Sequence, residues 1–165
     1  MAKLLVIRLS AIGDVAMTVP VIYSAAKANP EDSFTVLTQA FLMPLFMNRP
    51  PNVEVIGINT KGAEKGLIGL LKFISALLKF DFDVILDLHN VIRTIIICTF
   101  FRLNGKRVFV LDKARKERKR LTAIKGKRLY PLRPVIVRYA DVFRAAGLNY
   151  TETFLSLIQS FRCRR

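Results

Sequence analysis

Short aliphatic runs alternate with stretches of helical periodicity along most of this chain. Runs rich in aliphatic and β-branched residues, typical of strands buried in a parallel sheet, predict strands at 3–9, 33–38, 53–58, 82–88 and 106–111. Between them, apolar residues recur at three- and four-residue spacing, which predicts helices at 14–28, 67–80 and 91–101 and a short helical piece at 40–47. Strands and helices that alternate over short connections indicate right-handed crossovers. We therefore expect an α/β fold, a Rossmann-like parallel sheet with flanking helices.

The pattern changes after Asp112. The segment KARKERKRLTAIKGKR (113–128) has little apolar periodicity, which is typical of an exposed loop or of a short basic helix. We expect a basic loop at 112–130.

A last helix is predicted at 135–146, and Gly147 closes it. The 165 residues suffice for one compact domain with a substantial core. We place this domain at 1–148 and expect a tail or a truncated linker over 149–165.

Positive charge is the strongest compositional signal. The chain carries a net charge of +15, and the stretch 102–144, with 15 basic and 3 acidic residues, holds +12 of it. Such a concentration indicates an anionic partner, which could be nucleic acid, an acidic membrane surface or a phosphorylated substrate. The alternative is a solvated face without a partner. Nucleic acid is disfavoured, because no aromatic residue lies within 113–128 and no known nucleic-acid scaffold is evident.

Several protein classes are excluded by simple counts. No apolar run reaches the roughly 18 residues of a spanning helix, and only four apolar residues separate Lys3 from Arg8, too few for a secretory signal. We therefore expect a cytoplasmic protein. Cys98, Cys163 and the single histidine, His89, make neither a disulfide scaffold nor a zinc site. No dinucleotide fingerprint or P-loop follows the first strand.

The segment Ser10-Ala11-Ile12-Gly13-Asp14 lies where the first strand should give way to a helix. Ligands of such sheets bind at the carboxyl ends of the strands, so this junction is a candidate site. We expect Gly13 to permit a tight turn and Asp14 to fall in the first helical turn. Asp14 is then either an acid that favours the helix N-terminus by about 0.3–1 kcal/mol or a general base for a substrate hydroxyl.

A second polar group follows the fourth strand, in DLHNVIRT (87–94). A lone histidine is more often structural than catalytic, but the position of His89 at a strand's carboxyl end, beside Asn90 and Arg93, supports a ligand contact. Arg93 could contact a ligand or could extend its charged end from an otherwise apolar helix.

The stretch RLSAIGDVAMTVP (8–20) resembles the start of the heptosyltransferases, the glycosyltransferases of family 9 that build the bacterial lipopolysaccharide core. Three further stretches agree with that family in order: FDVILDLHNVIRT (82–94), the lysine-rich block after the fifth strand, and VRYADVFRAAGL (137–148). Together they cover 1–148. The resemblance implies the N-terminal half of a GT-B fold, in which two Rossmann-like domains face a cleft.

The family's chemistry is metal-independent transfer of a heptose with inversion, and the resemblance implies ADP-heptose as the donor. We expect the donor-binding C-terminal domain to be missing from this chain. The chain itself would hold the anionic, lipid-linked saccharide acceptor (lipid A and core) at the inner-membrane surface. The family's general base corresponds to Asp14. The residues expected to shape the acceptor site are Ser10, Gly13, His89, Asn90, Arg93, Lys116, Lys119 and Arg120.

Two departures from the family matter. Its members are roughly twice as long, and Pro134 stands where a histidine is expected. We therefore expect a fragment, a truncated gene product or an acceptor-domain remnant that is inactive alone and prone to self-association. The alternative hypothesis is a non-catalytic basic Rossmann-like module that binds anionic lipid or nucleic acid.

Overall fold

The computed structural model describes residues 1–60, 62, 66–121 and 131–153, and the rest of the predicted basic loop and tail lies outside the described residues. In this part of the chain, five strands and five α-helices follow one another, with a 3₁₀ helix after the second strand. The elements are β1 Lys3–Ile7, α1 Ile12–Ala28, β2 Ser33–Gln39, the 3₁₀ helix Ala40–Phe46, β3 Val53–Ile58, α2 Gly66–Leu78, β4 Val84–Asp87, α3 Ile92–Leu103, β5 Arg107–Val110, α4 Arg115–Leu121 and α5 Val135–Ala145.

All five strands are parallel, in the order β3-β2-β1-β4-β5. In the central strand β1, Ile7 pairs with Leu37 of β2 on one side and with Asp87 of β4 on the other. The chain first builds the sheet outward through β2 and β3, then returns to add β4 and β5 on the opposite side. The strand order therefore reverses between β1 and β4, and sheets of this kind bind ligands at that point. The predicted Rossmann-like α/β fold is confirmed.

The core has two layers because side chains alternate along β1. Leu4 and Val6 face a cluster with α1, the 3₁₀ helix and α5. Leu5 and Ile7 face a second cluster with α2 and α3. This two-residue alternation is the pleat of a strand, and full burial of each such side chain contributes roughly 1.5–3 kcal/mol.

The element boundaries differ slightly from the prediction. β1 ends at Ile7 and α1 begins at Ile12, two residues before the predicted start. Of the two alternatives for the basic segment, its described part contains a short basic helix, α4.

The described residues after α5 fold back on α1. The side-chain amide of Asn29 donates to the carbonyl of Asn149 at 2.8 Å, and the backbone N–H of Thr153 donates to Ser24 Oγ at 3.2 Å. The first residues of the predicted tail therefore pack against the domain. Within the described residues, no helix combines the length and apolarity that a membrane span requires.

Candidate active site

Asp14 lies in the first turn of α1, immediately above the carboxyl end of the central strand. Ala11 precedes the helix without a side-chain cap, so the acidic residue supplies the negative charge that a helix N-terminus favours. The Asp14 side chain is 41% exposed. The predicted placement in the first turn is confirmed, and a ligand can reach the carboxylate.

Arg8 holds Asp14 from below. Its Nη2 forms an ion pair with Asp14 Oδ2, and its Nη1 donates to the carbonyl of Leu88 at 2.5 Å. The guanidinium also lies 5.7 Å from the ring centroid of Tyr139, within range of a cation–π contact. Because Arg8 is buried and also binds Leu88, it holds the Asp14 carboxylate at the junction of β1 and β4.

A cavity of about 350 Å³ opens beside this pair, between the ends of β1 and β4 and helices α4 and α5. Its side chains are mostly cationic or neutral polar, and Asp14 is the single carboxylate among them: Arg8, Ser10, Asp14, His89, Lys113, Arg118, Arg138 and Tyr139. Burial and the neighbouring Arg115 and Arg8 lower the pKa of Lys113. An excess of positive charge at partly buried positions makes the cavity suited to an anionic group.

Four buried polar atoms around the cavity have no hydrogen-bond partner among the described residues: Arg8 Nε, His89 Nδ1, Arg138 Nε and Tyr139 OH. Burial raises the pKa of Tyr139, so its phenol stays neutral and can donate. Buried polar groups are nearly always paired in folded proteins. Their concentration at one cavity leaves hydrogen-bonding capacity there that the described residues do not use.

Ser10 and His89 join the ends of β1 and β4 across the cavity, with 3.2 Å between Ser10 Oγ and His89 Nε2. Burial, with smaller effects from Arg8 and Lys113 and against the effect of Asp14, lowers the pKa of His89 to about 4. The imidazole is therefore neutral near pH 7.

The loop that carries His89 is fixed by Asp87 at the end of β4. Its buried carboxylate accepts the backbone N–H groups of His89 and Asn90 at 2.8 and 2.9 Å and the hydroxyl of Thr94 at 2.7 Å. Asn90 adopts a positive φ of 51°, which asparagine tolerates better than most residues, and its side chain donates to the carbonyl of Leu111 at 2.9 Å. Asp87 and Asn90 thus build the loop that presents His89.

The residues predicted for the site do not all meet. Asp14, Ser10 and His89 share the cavity. Asn90 and Lys116 line a neighbouring depression formed at the start of α4. The remaining predicted residues line neither of these two cavities: Gly13, Arg93, Lys119 and Arg120.

The expected tight turn at Gly13 is wrong. Gly13 is the second residue of α1, its φ is not positive, and an added Cβ would meet no atom within 4 Å. The turn into the helix is made by the residues before it, so the backbone at position 13 does not require glycine.

Sequence reasoning missed Arg8, Arg138 and Tyr139, and it did not single out Lys113 and Arg118 within the basic segment expected at the acceptor site. Two carried a usable signal. Arg8 directly follows an aliphatic run, and a charge that is buried there needs a partner. Tyr139 has the apolar-face spacing of Val135 and Val142 in α5, although it brings a hydroxyl.

The fold is similar to that of solved glycosyltransferases. A glycosyl transferase of family 9 from Veillonella parvula gives a TM-score of 0.64 at 21% identity over 90% of this chain. The Escherichia coli heptosyltransferase WaaC with ADP gives 0.61 at 21% over 92%, and the E. coli ADP-heptose lipopolysaccharide heptosyltransferase II gives 0.53 at 22% over 85%. The sequence resemblance is confirmed at the level of the fold. Comparisons with protein-family models and with curated proteins give no match.

The chain spans less than half the length of these three neighbours: 42%, 48% and 39%. At identities of 21–22%, the likeness shows a shared fold. The neighbours are glycosyltransferases, and a role for this chain has to be argued from its own site.

Proposed function

We propose that this chain is the acceptor-binding half of an inverting, heptosyltransferase-like glycosyltransferase, with Asp14 as the general base. The donor would be ADP-heptose, held by a second domain, and the acceptor an anionic, lipid-linked saccharide of the lipopolysaccharide core. Transfer would need no metal ion and would take place at the cytoplasmic surface of the inner membrane.

In this mechanism, an acceptor hydroxyl lies against Asp14 and attacks the anomeric carbon of the donor. The new C–O bond forms as the bond from that carbon to the nucleoside diphosphate breaks. Asp14 takes the hydroxyl proton during the attack, and the diphosphate leaves with the bonding electrons. Attack from the opposite face inverts the configuration.

The position of Asp14 carries this proposal. It is a reachable carboxylate at the switch point of the sheet, where ligands of this fold bind, and Arg8 fixes its orientation. The cation-lined cavity beside it can hold a phosphate or an acidic sugar of the acceptor. The reactive hydroxyl and the anionic group of one acceptor would then bind side by side.

The test replaces Asp14 in a two-domain protein that joins this chain to a donor-binding domain. We expect Asp14→Asn to lower the rate of heptose transfer by about 10²–10⁴-fold, the usual contribution of a general base. Acceptor affinity should stay within about threefold, because asparagine keeps the shape and only one charge is lost. Transfer is followed by mass spectrometry of the acceptor, and affinity by calorimetry.

Asp81→Asn is the matched control. Asp81 is also ion-paired, to Lys106 at 2.6 Å, but it lies at the amino edge of the sheet. It should leave transfer unchanged. Retained transfer by Asp14→Asn would contradict the role of Asp14 as the base. If acceptor affinity fell by as much as the transfer rate, Asp14 would be a binding residue.

A second candidate is a non-catalytic module for anionic lipid. The exposed basic side chains of α4 favour it, because they present several charges outside the cavity: Arg115, Lys116, Lys119 and Arg120. In this case the chain should sediment with phosphatidylglycerol vesicles and be released by salt, and Asp14→Asn should change nothing. Equally strong binding to neutral vesicles would contradict a role in binding anionic lipid.

A further inference from the structure

His89 is a buried side chain at the cavity, and its two ring nitrogens have different surroundings. It is 9% exposed and lines the cavity. Nε2 contacts Ser10 Oγ at 3.2 Å, whereas Nδ1 has no hydrogen-bond partner among the described residues. An unpaired buried polar atom of this kind is unfavourable, so a ligand that pairs with it gains affinity.

The contact with Ser10 couples the serine hydroxyl to the tautomer of the ring. A neutral imidazole carries one N–H and one bare nitrogen, and a bare ring nitrogen is a better acceptor than a hydroxyl oxygen. If Ser10 Oγ–H donates to Nε2, the ring proton lies on Nδ1. The unpaired atom is then an N–H donor.

The charges around the ring favour an anionic ligand at this donor. Arg8 at the end of β1, Lys113 before α4, Arg118 in α4 and Arg138 in α5 are cationic, whereas Asp14 in α1 is the single acid among the described residues that line the cavity. Tyr139 adds a neutral hydroxyl. Burial, together with Arg8 and Lys113, lowers the pKa of His89, so the ring adds a directed hydrogen bond without adding charge.

We propose that His89 recognises an oxygen of a phosphate-class anion through its Nδ1–H, with Ser10 fixing the tautomer through Nε2. This role of His89 rests on the ligand-binding role proposed for the cavity and is independent of sugar transfer. His89 then distinguishes an acceptor that places such an oxygen beside Asp14 from one that offers only hydroxyl donors.

The single histidine of the chain allows an unambiguous measurement. Long-range ¹H–¹⁵N correlation spectra of the ¹⁵N-labelled chain show which ring nitrogen carries the proton. We expect a neutral ring near pH 7 with the proton on Nδ1, and a shift of the Nδ1 resonance when inorganic phosphate is added at constant ionic strength. A doubly protonated ring, a proton on Nε2, or an Nδ1 resonance that phosphate leaves unchanged would overturn the proposal.

Substitutions test the contribution to affinity without changing net charge. His89→Phe should weaken phosphate binding about tenfold or more, as expected for a hydrogen bond to a charged group. His89→Gln retains a neutral donor and should stay within about threefold of the wild type. Ser10→Ala should lower the fraction of His89 rings that carry the proton on Nδ1. If His89→Phe does not fold, the spectra of the wild type and of Ser10→Ala decide alone.

These outcomes are separable from the proposed function. A two-domain protein that fails to transfer heptose, while phosphate still shifts Nδ1 as described, would contradict the transferase and leave the role of His89 intact. Equal phosphate affinity for the wild type and His89→Phe would contradict the role of His89 and leave Asp14 untouched.

Discussion

Arg8 connects the stability of the sheet to the position of the proposed base. One guanidinium nitrogen binds the carbonyl of Leu88 and another binds Asp14, so a single side chain spans the β1–β4 junction. A lysine ammonium is a point charge without this planar fork. Arginine at position 8 therefore orients Asp14 in a way that lysine cannot reproduce.

At the same scale, His89 should make the folded state sensitive to mild acid. Its pKa falls from 6.5 to about 4 on folding, so the unfolded chain binds a proton that the folded chain excludes. The contribution of His89 to the free energy of unfolding is fully present above pH 6.5 and is lost as the pH falls toward about 4. Urea unfolding of the wild type and His89→Gln, at about pH 7 and about pH 4.5, measures it.

The wild type should lose more stability over this interval than the variant, because carboxylates titrate in both. His89→Gln keeps the same charge as neutral histidine, so it is also the control for the burial of a polar side chain. Identical losses in the two proteins would show that His89 does not titrate on unfolding.

At the scale of the elements, strands were predictable because each carries its own burial pattern. Leu4, Leu5, Val6 and Ile7 are buried on alternating faces, so an unbroken aliphatic run could only be an inner strand. The start of α1 was less predictable, because Ala11 and Ile12 carry no capping side chain. Boundaries without a cap leave no local signal.

The cations of the site could not be selected from the sequence. In RKERKRL (115–121) nearly every residue is charged, so periodicity cannot show which side chain faces inward. That choice depends on how α4 and α5 meet around the cavity, where Arg118 and Arg138 are brought together from distant parts of the chain. Only the tertiary arrangement contains this information.

Two arginines of α4 allow a direct test of that arrangement. Arg118 and Arg120 are both exposed on α4, but Arg118 lines the cavity and Arg120 lines neither described cavity near it. Arg118→Ala should weaken phosphate binding about three- to tenfold, with a smaller dependence on salt, because one ion contact is lost. Arg120→Ala removes the same charge and should change affinity less than about twofold.

Isothermal titration with inorganic phosphate at low and moderate salt would measure both variants. Equal losses would mean that phosphate responds to the overall charge of α4. The cavity would then not be the binding site.

At the scale of the molecule, apolar side chains collect at the edge where the ligand site lies. In a parallel sheet, the helices that follow strands begin at the carboxyl edge, and Ile12, Phe41, Ile68 and Ile92 all lie at such beginnings, 62–80% exposed. The matched part of this chain covers less than half of each structural neighbour. A further domain placed over this edge would cover these residues, as in the proposed two-domain enzyme.

Without such a covering domain, this edge should drive self-association. We expect the 165-residue chain to form dimers at about tens of micromolar. The double variant Phe41→Ser/Ile92→Ser should raise the dissociation constant at least about tenfold, because each edge loses two apolar contacts. Phe80→Ser with Leu103→Ser is the matched pair, because both residues are exposed but lie at the amino edge. Sedimentation equilibrium measures all three proteins.

Salt should strengthen the association, since it screens the repulsion between chains of net charge +15. Equal effects of the two pairs, or association that salt weakens, would contradict an apolar interface at the carboxyl edge.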